Sequence, residues 1–241
     1  MIEIKNISKS YNKGSIKAVD DLSLTVHPGE IFGFLGPNGA GKTTTIKMMT
    51  GLLNPDCGSI NINGFDIQKD AIMAKQSIGY VPDNPDIYEK LTGMEYLNFM
   101  ADVYGVSADY RKRQIQFFLE MFELEHAAGD IIKSFSHGMK QKLVITGALL
   151  HNPTVWILDE PMVGLDPKSA HLLKEYMHTH CKNGNTVFFS THVLEVAEKL
   201  CDRIGIINRG KLVAAGTMEE LRHMDHSMTL ENIFLELTED E

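Results

Sequence analysis

The run Gly36-Pro37-Asn38-Gly39-Ala40-Gly41-Lys42-Thr43-Thr44 meets the pattern G-x-x-x-x-G-K-[ST] through Gly36, Gly41, Lys42 and Thr43. Glycines at this spacing let successive backbone N–H groups turn inward toward phosphate oxygens. A helix opening at the end of the run aims its unpaired N–H groups and positive dipole end at the same anion. The Lys42 ammonium supplies a point charge for β- and γ-phosphates, and the Thr43 hydroxyl suits Mg²⁺. The plainer reading is a glycine turn with a surface lysine. It carries little weight, because the chain also supplies the other parts that a nucleotide site needs.

Asp159 and Glu160 close the apolar stretch Val155-Trp156-Ile157-Leu158. Carboxylates at the carboxyl end of a buried strand stand where open parallel sheets bind ligands. Asp159 suits a contact to Mg²⁺, direct or through water. Glu160 suits the polarisation of a water that attacks a γ-phosphate. Taken alone, two carboxylates at a strand end are a weak signal; behind a phosphate loop they are a strong one. His192 follows the predicted strand 186–190 and is placed to hydrogen-bond a γ-phosphate or orient the attacking water. A lone histidine behind a strand is usually structural, so its role rests on its company.

These groups need elements to hold them. The pattern predicts a strand over 31–35 running into the loop and a helix over 43–50 leaving it, stopped at Gly51. Ahead of it, Ile2, Ile4 and Ile7 mark a strand, Asn12-Lys13-Gly14 a turn, and 18–26 a strand with Leu22, Leu24 and Val26 at period two. Behind it, Ile60-Asn61-Ile62 and Phe65-Asp66-Ile67 flank Asn63-Gly64 as a hairpin. Together these read as an antiparallel sheet flanking the loop. A short strand over 78–81 ends at Pro82-Asp83.

From 86 to about 150 the alternation disappears. Leu97, Met100, Ala101 and Tyr104, then Ile115, Phe118, Leu119 and Phe122, recur at helical spacing and predict a mostly helical subdomain inserted into an α/β core. Ser136 is placed to cap a helix running through 150. Beyond 155–158, Asp166-Pro167 opens a helix to about 181, and Lys182-Asn183-Gly184-Asn185 ends it. A strand, a helix to Leu200, a hairpin turning at Arg209-Gly210, a capping box from Thr217 to Glu220 and an amphipathic segment 230–237 complete the chain. Strands alternating with helices behind the loop predict a mainly parallel sheet.

Plainer readings hold elsewhere. Met48 and Met49 read as packing. The cluster Met94, Tyr96, Phe99 and Met100 could meet a partner helix, with core packing as the default. His178 and His180 stand near Cys181, but two residues apart on a helix they do not share a face. A solvated helix face is the expectation there, not a zinc site.

Composition narrows the function. The 241 residues, 43% of them hydrophobic, can build a real core. A net charge of −9 argues against non-specific nucleic-acid binding as the main task. Cys57, Cys181 and Cys201 are odd in number and far apart, which suggests a reducing compartment. The start has no apolar signal segment, and no run approaches the length of a membrane span.

Taken in order, these motifs resemble the ATP-binding subunits of ABC transporters over essentially the whole chain. The loop 36–44 corresponds to the Walker A motif, and 155–159 with Glu160 to Walker B. Ser136-His137-Gly138-Met139-Lys140-Gln141 corresponds to the signature segment, Gly164-Leu165-Asp166 to the D-loop, His192 to the switch histidine and Tyr11 to the aromatic that stacks on adenine. The resemblance implies one domain over 1–241 with the P-loop ABC-ATPase fold, the helical insertion at about 86–150 and a helical tail at about 217–241. It implies ATP and Mg²⁺ as ligands. It also implies two subunits closing head to tail around two ATP molecules, with Ser136 and Gly138 reaching the γ-phosphate bound by the partner.

Two departures stand out. The common signature Leu-Ser-Gly-Gly-Gln here reads Phe135-Ser136-His137-Gly138-Met139, and Asp83 replaces the usual glutamine after Tyr80-Val81-Pro82. Asp83 is a candidate Mg²⁺ contact or, more plainly, the cap of its own turn. The resemblance implies an ATPase subunit at the cytoplasmic face of the cell membrane, working with a separate transmembrane permease, and favours the antibiotic and multidrug exporter group. A soluble ABC ATPase that remodels a nucleic acid or ribosome is the alternative, but it usually carries a coiled-coil insertion or two cassettes. A GTPase needs Asn-Lys-x-Asp behind the loop, whereas Asn12-Lys13 precedes it without the aspartate.

Overall fold

The computed structural model describes residues 1–85, 87–223 and 229–238. Asp86, at the expected start of the helical insertion, and residues 224–228 and 239–241 of the expected tail lie outside the described residues. Two sheets organise the rest. The first is antiparallel and joins β1 (Ile2–Tyr11), β2 (Ile16–Val26), β4 (Cys57–Ile62) and β5 (Phe65–Asp66) in the order β2-β1-β4-β5. Its period-two residues Ile2, Ile4, Leu22, Leu24, Ile60 and Ile62 are all buried. β4 turns into β5 through Asn63 and Gly64, whose φ values of 52° and 87° suit a two-residue hairpin.

The second sheet has the order β10-β9-β3-β8-β7-β6. β3 (Ile31–Leu35), β6 (Ile78–Val81), β7 (Val155–Asp159), β8 (Thr186–Thr191) and β9 (Arg203–Asn208) run parallel, and β10 (Lys211–Gly216) closes one edge antiparallel to β9. Every residue of β3, β7 and β8 is buried. Covered on both faces, these strands read as unbroken apolar runs rather than alternating ones.

α1 (Lys42–Met49) joins the two sheets. Ile46, Met48 and Met49 are fully buried in one core with Ile60, Phe34 and Phe188, so both methionines do pack. α2 (Ala71–Gln76) had no sequence signal, and only Ala74 of it is buried.

Residues beyond Asp86 form α3 (Gly93–Val103), α4 (Ala108–Met121) and α5 (His137–Leu149). Thr92 and Glu95 make a reciprocal capping box that starts α3. Leu97 and Ala101 of α3, Phe118 and Leu119 of α4 and Leu143 of α5 share one core with Trp156 and Leu158 of β7. The packing expected of the α3 cluster holds for only half of it. Tyr96 is buried and Met100 packs on the core, but Met94 and Phe99 are exposed. Leu97 and Ala101 set the inward stripe of α3, and Phe99, two residues from Leu97, points off it. Phe99 meets the exposed Tyr88 ring edge-on at 5.7 Å between centroids.

α6 (Pro167–Lys182) is capped by Asp166, which accepts from the Ser169 N–H at 2.9 Å. The solvated face expected around His178 and His180 is half wrong. His180 is only 2% exposed, with its ring 6.1 Å from Tyr176 and 5.8 Å from Trp156. It falls on the same stripe as Leu173, Tyr176 and Met177, and burial lowers its pKa. α7 (Leu194–Leu200), α8 (Met218–His223) and α9 (Leu230–Thr238) pack against β9 and β10 through Ala197, Leu221, Leu230, Ile233, Ile204 and Ile206. Thr217 and Glu220 form the expected capping box, at 2.7 and 3.1 Å. Among the described residues no helix is long and apolar enough to cross a membrane.

Candidate active site

Parallel register assembles the site. It sets Leu35 opposite Thr191, Asp159 opposite Ser190, and Val81 opposite Leu158. Four strands therefore end on one edge of the sheet, the edge where α/β folds bind ligands. The glycine loop leaves β3 there, Asp83 follows β6, Asp159 and Glu160 finish β7, and His192 follows β8. A cleft of about 240 Å³ opens between them, lined by Pro37, Asn38, Gly39, Gly41, Lys42, Thr43, Thr44, Asp83 and Glu160, with Ala18 of β2.

Ala18 gave no sequence signal. It matters because β2 backs directly onto the loop: a Cβ on Gly41 would stand 2.4 Å from the Ala18 carbonyl oxygen. Gly41 also has φ +111°, so two independent reasons exclude a side chain there. It precedes α1 without any side-chain cap, which leaves the first-turn N–H groups facing the cleft edge.

Lys42 is 7% exposed and its ammonium is fully engaged. Nζ donates to the carbonyls of Gly36 at 2.7 Å and Pro37 at 3.3 Å, and stands 3.8 Å from Glu160 Oε1. Burial lowers its pKa, while Glu160 and Asp159 oppose that shift.

Glu160 has φ 48°, left-handed backbone that costs a residue with a Cβ roughly 1–2 kcal/mol. Its N–H donates to Ser190 Oγ at 3.0 Å, and its Oε2 lies 3.0 Å from His192 Nδ1. His192 is half exposed and lies outside the cleft lining, but it reaches the site through Glu160. The Thr191 hydroxyl accepts the Val193 N–H at 3.0 Å and so shapes the turn that presents the histidine.

Asp159 lies beneath the cleft, wholly buried. Its Oδ1 accepts the Ser190 hydroxyl at 2.5 Å, and its Oδ2 has no hydrogen-bond partner. Burial raises its pKa; the Ser190 and Thr43 hydroxyls pull it down, and Asp83 and Glu160 push it up. A buried carboxylate oxygen without a partner next to the Thr43 hydroxyl suits a cation. One hydroxyl and one or two carboxylates are the donors Mg²⁺ takes when it keeps waters and binds substrate phosphates as well. Among the described residues no three His, Cys, Asp or Glu side chains form a metal-holding group by themselves. Asp83 faces the cleft and also accepts the N–H of Asn84 at 2.9 Å, so it caps its own turn.

The other expected residues stand apart from this cleft. Tyr11, at the end of β1 and paired with Ile16, is exposed and outside the lining. Ser136 caps α5, accepting the Met139 N–H at 3.2 Å, and neither it nor Gly138 lines the cleft. The turn that opens α5 instead packs on Gly164. A Cβ on Gly138 would stand 2.7 Å from the Gly164 carbonyl oxygen, and one on Gly164 would stand 2.3 Å from the His137 ring. Lys142 of α5 pairs with Asp166 at 2.8 Å. Hydrogen bonds from Lys142 first, and then from Ser169, hold the Asp166 carboxyl well below the usual carboxylate range.

Comparison with known proteins bears on the family and the fold. The family model described as ABC transporter matches residues 19–163. The linearmycin resistance ATP-binding protein LnrL of Bacillus subtilis (strain 168) is 42% identical over 221 residues, spanning 92% of this chain and 70% of that protein. A solved structure of an ATP-binding subunit of an ABC transporter superposes with a TM-score of 0.94 at 36% identity, over 99% of this chain and 100% of its own. The ATP-binding cassette MJ0796, solved as a dimer in a post-hydrolysis state with ADP and Pi, gives a TM-score of 0.80 at 26% identity, over 90% of this chain and 98% of its own.

Proposed function

This chain belongs to the ABC transporter family as an ATP-binding, ATP-hydrolysing subunit, and we propose that it powers export by closing on a second cassette around ATP. The observation that carries this reading is the convergence at one sheet edge of the glycine loop, Lys42, the buried Asp159 and the left-handed Glu160. In this reading residues 1–241 form one domain with a helical insertion and a helical tail.

The loop N–H groups and Lys42 bind the β- and γ-phosphates, the lysine exchanging loop carbonyls for phosphate oxygens. Thr43 and Asp159 would hold Mg²⁺, with Asp83 a further contact, and the ion would supply charge stabilisation to the phosphates when bound. Glu160 polarises the attacking water, and His192 holds its carboxylate in place. Tyr11 stacks on the base. Ser136 and Gly138 lie outside their own chain's cleft, which fits a role across a dimer at the partner's γ-phosphate. Dimeric MJ0796 supports closure, and a resistance protein among the relatives supports outward transport. The permease is a separate chain, and the cassette works on the cytoplasmic face of its membrane.

The test is Glu160→Gln. It keeps size and shape but removes the base, so ATP still binds while turnover falls on the order of 10²–10⁴-fold. Light scattering of this variant with saturating ATP is expected to show a dimer. A strict monomer would count against closure.

A further inference from the structure

Ser190 is wholly buried at the end of an apolar strand, where a polar side chain needs partners. Register places it opposite Asp159. Its hydroxyl donates to Asp159 Oδ1 at 2.5 Å, and the same oxygen accepts the Glu160 N–H at 3.0 Å. A serine hydroxyl has one proton and two lone pairs, so one atom serves both neighbours. Donation to a carboxylate also makes the oxygen a stronger acceptor for the amide.

The second bond is the telling one. It holds the amide of a residue at φ 48°, a conformation that a glutamate keeps only when its surroundings over-determine it. The bend at Glu160 turns the side chain out of the sheet and into the cleft lining. His192, two residues beyond Ser190, meets the carboxylate of that same glutamate at 3.0 Å. The end of β8 thus grips Glu160 twice, by its backbone through Ser190 and by its carboxylate through His192.

We infer that Ser190 is a positioning residue for hydrolysis: its hydroxyl locks the left-handed turn at Glu160 and orients the Asp159 carboxylate with the same atom. This rests on Glu160 being the carboxylate that polarises the attacking water. Ser190 does not line the cleft. Its removal misplaces the groups that do the chemistry and leaves the phosphate loop intact.

Ser190→Ala and Ser190→Thr in the full chain test it, with three readouts. Steady-state turnover gives kcat and KM for ATP. A fluorescent ATP analogue reports binding. Amide hydrogen exchange of the segment spanning Glu160, measured without nucleotide or metal, reports the turn itself. In Ser190→Ala, kcat falls roughly tenfold or more, KM and analogue binding stay within about threefold, and exchange at Glu160 speeds up at least about tenfold. Threonine keeps the hydroxyl and suits a strand, so Ser190→Thr restores slow exchange and most of kcat. Wild-type turnover and exchange in Ser190→Ala would overturn the inference. So would an equal loss of binding and turnover in both variants, which marks a packing role. Undiminished turnover in Glu160→Gln would instead strike the role given to Glu160, while faster exchange in Ser190→Ala would still support the clamp.

Discussion

His192 Nδ1 lies 3.0 Å from Glu160 Oε2, a contact made from outside the cleft to a carboxylate inside it. The contact places the histidine to set the glutamate's orientation. His192→Ala is expected to lower kcat by about a hundredfold while leaving ATP affinity nearly unchanged. Single-turnover hydrolysis and nucleotide binding, measured side by side, check the separation. Equal losses in both would assign His192 to ground-state phosphate binding.

Lys42→Ala removes the ammonium that the loop carbonyls and Glu160 surround, and is expected to weaken ATP binding by at least roughly tenfold. Ser136→Arg leaves that cleft untouched, so one chain still binds ATP while dimer closure is blocked. Binding assays at low protein concentration separate the two variants. If both lose nucleotide equally, Ser136 does not belong to the opposite site.

Asp83 has two occupations, the cleft and the cap on Asn84. Asp83→Asn keeps the size and the acceptor oxygen but removes the charge. If the charge faces the cation, the Mg²⁺ concentration for half-maximal activity rises by roughly threefold or more. Superimposable Mg²⁺ titrations of wild type and variant would leave Asp83 as a turn residue.

His151 stacks on Tyr104 with ring centroids 3.6 Å apart, and its Nε2 lies 3.2 Å from the Ile78 carbonyl oxygen. Burial lowers its pKa from 6.5 to about 4, against the opposing hydrogen bond. The unfolded chain therefore takes up a proton first as pH falls. The associated stability is fully present above pH 6.5 and is lost toward about pH 4. At pH 5 the loss amounts to about 2 kcal/mol. Urea unfolding of wild type and His151→Gln at pH 7.5 and 5 isolates it, because other acid-sensitive groups are common to both. Parallel losses would exclude His151 as the source.

Much of the site was legible because its signals are local. Glycine spacing, a lysine and a hydroxyl define the phosphate loop, and apolar runs ending in Asp159 or at Thr191 define the strands. The missing parts depend on tertiary neighbours. Ala18 lines the cleft only because β2 packs on the loop, and Ser190 joins Asp159 only through strand register. A polar pair, Ser190-Thr191, ending an apolar strand was the one available hint. The burial of His180 leaves no local signal, because the Trp156 ring that covers its side of α6 comes from β7, distant in sequence. α2 carries too little buried surface to leave a pattern.

The contact between His137 and Gly164 bears on how this sequence can drift. The ring occupies the volume that any side chain at 164 would claim, and Gly164 has φ +80° besides. A side chain at 164 would therefore have to push an exposed imidazole out of the signature turn and also adopt a left-handed backbone. Relief of that contact begins at 137, where an exposed ring can rotate or be shortened, because the backbone at 164 stays left-handed whatever stands beside it.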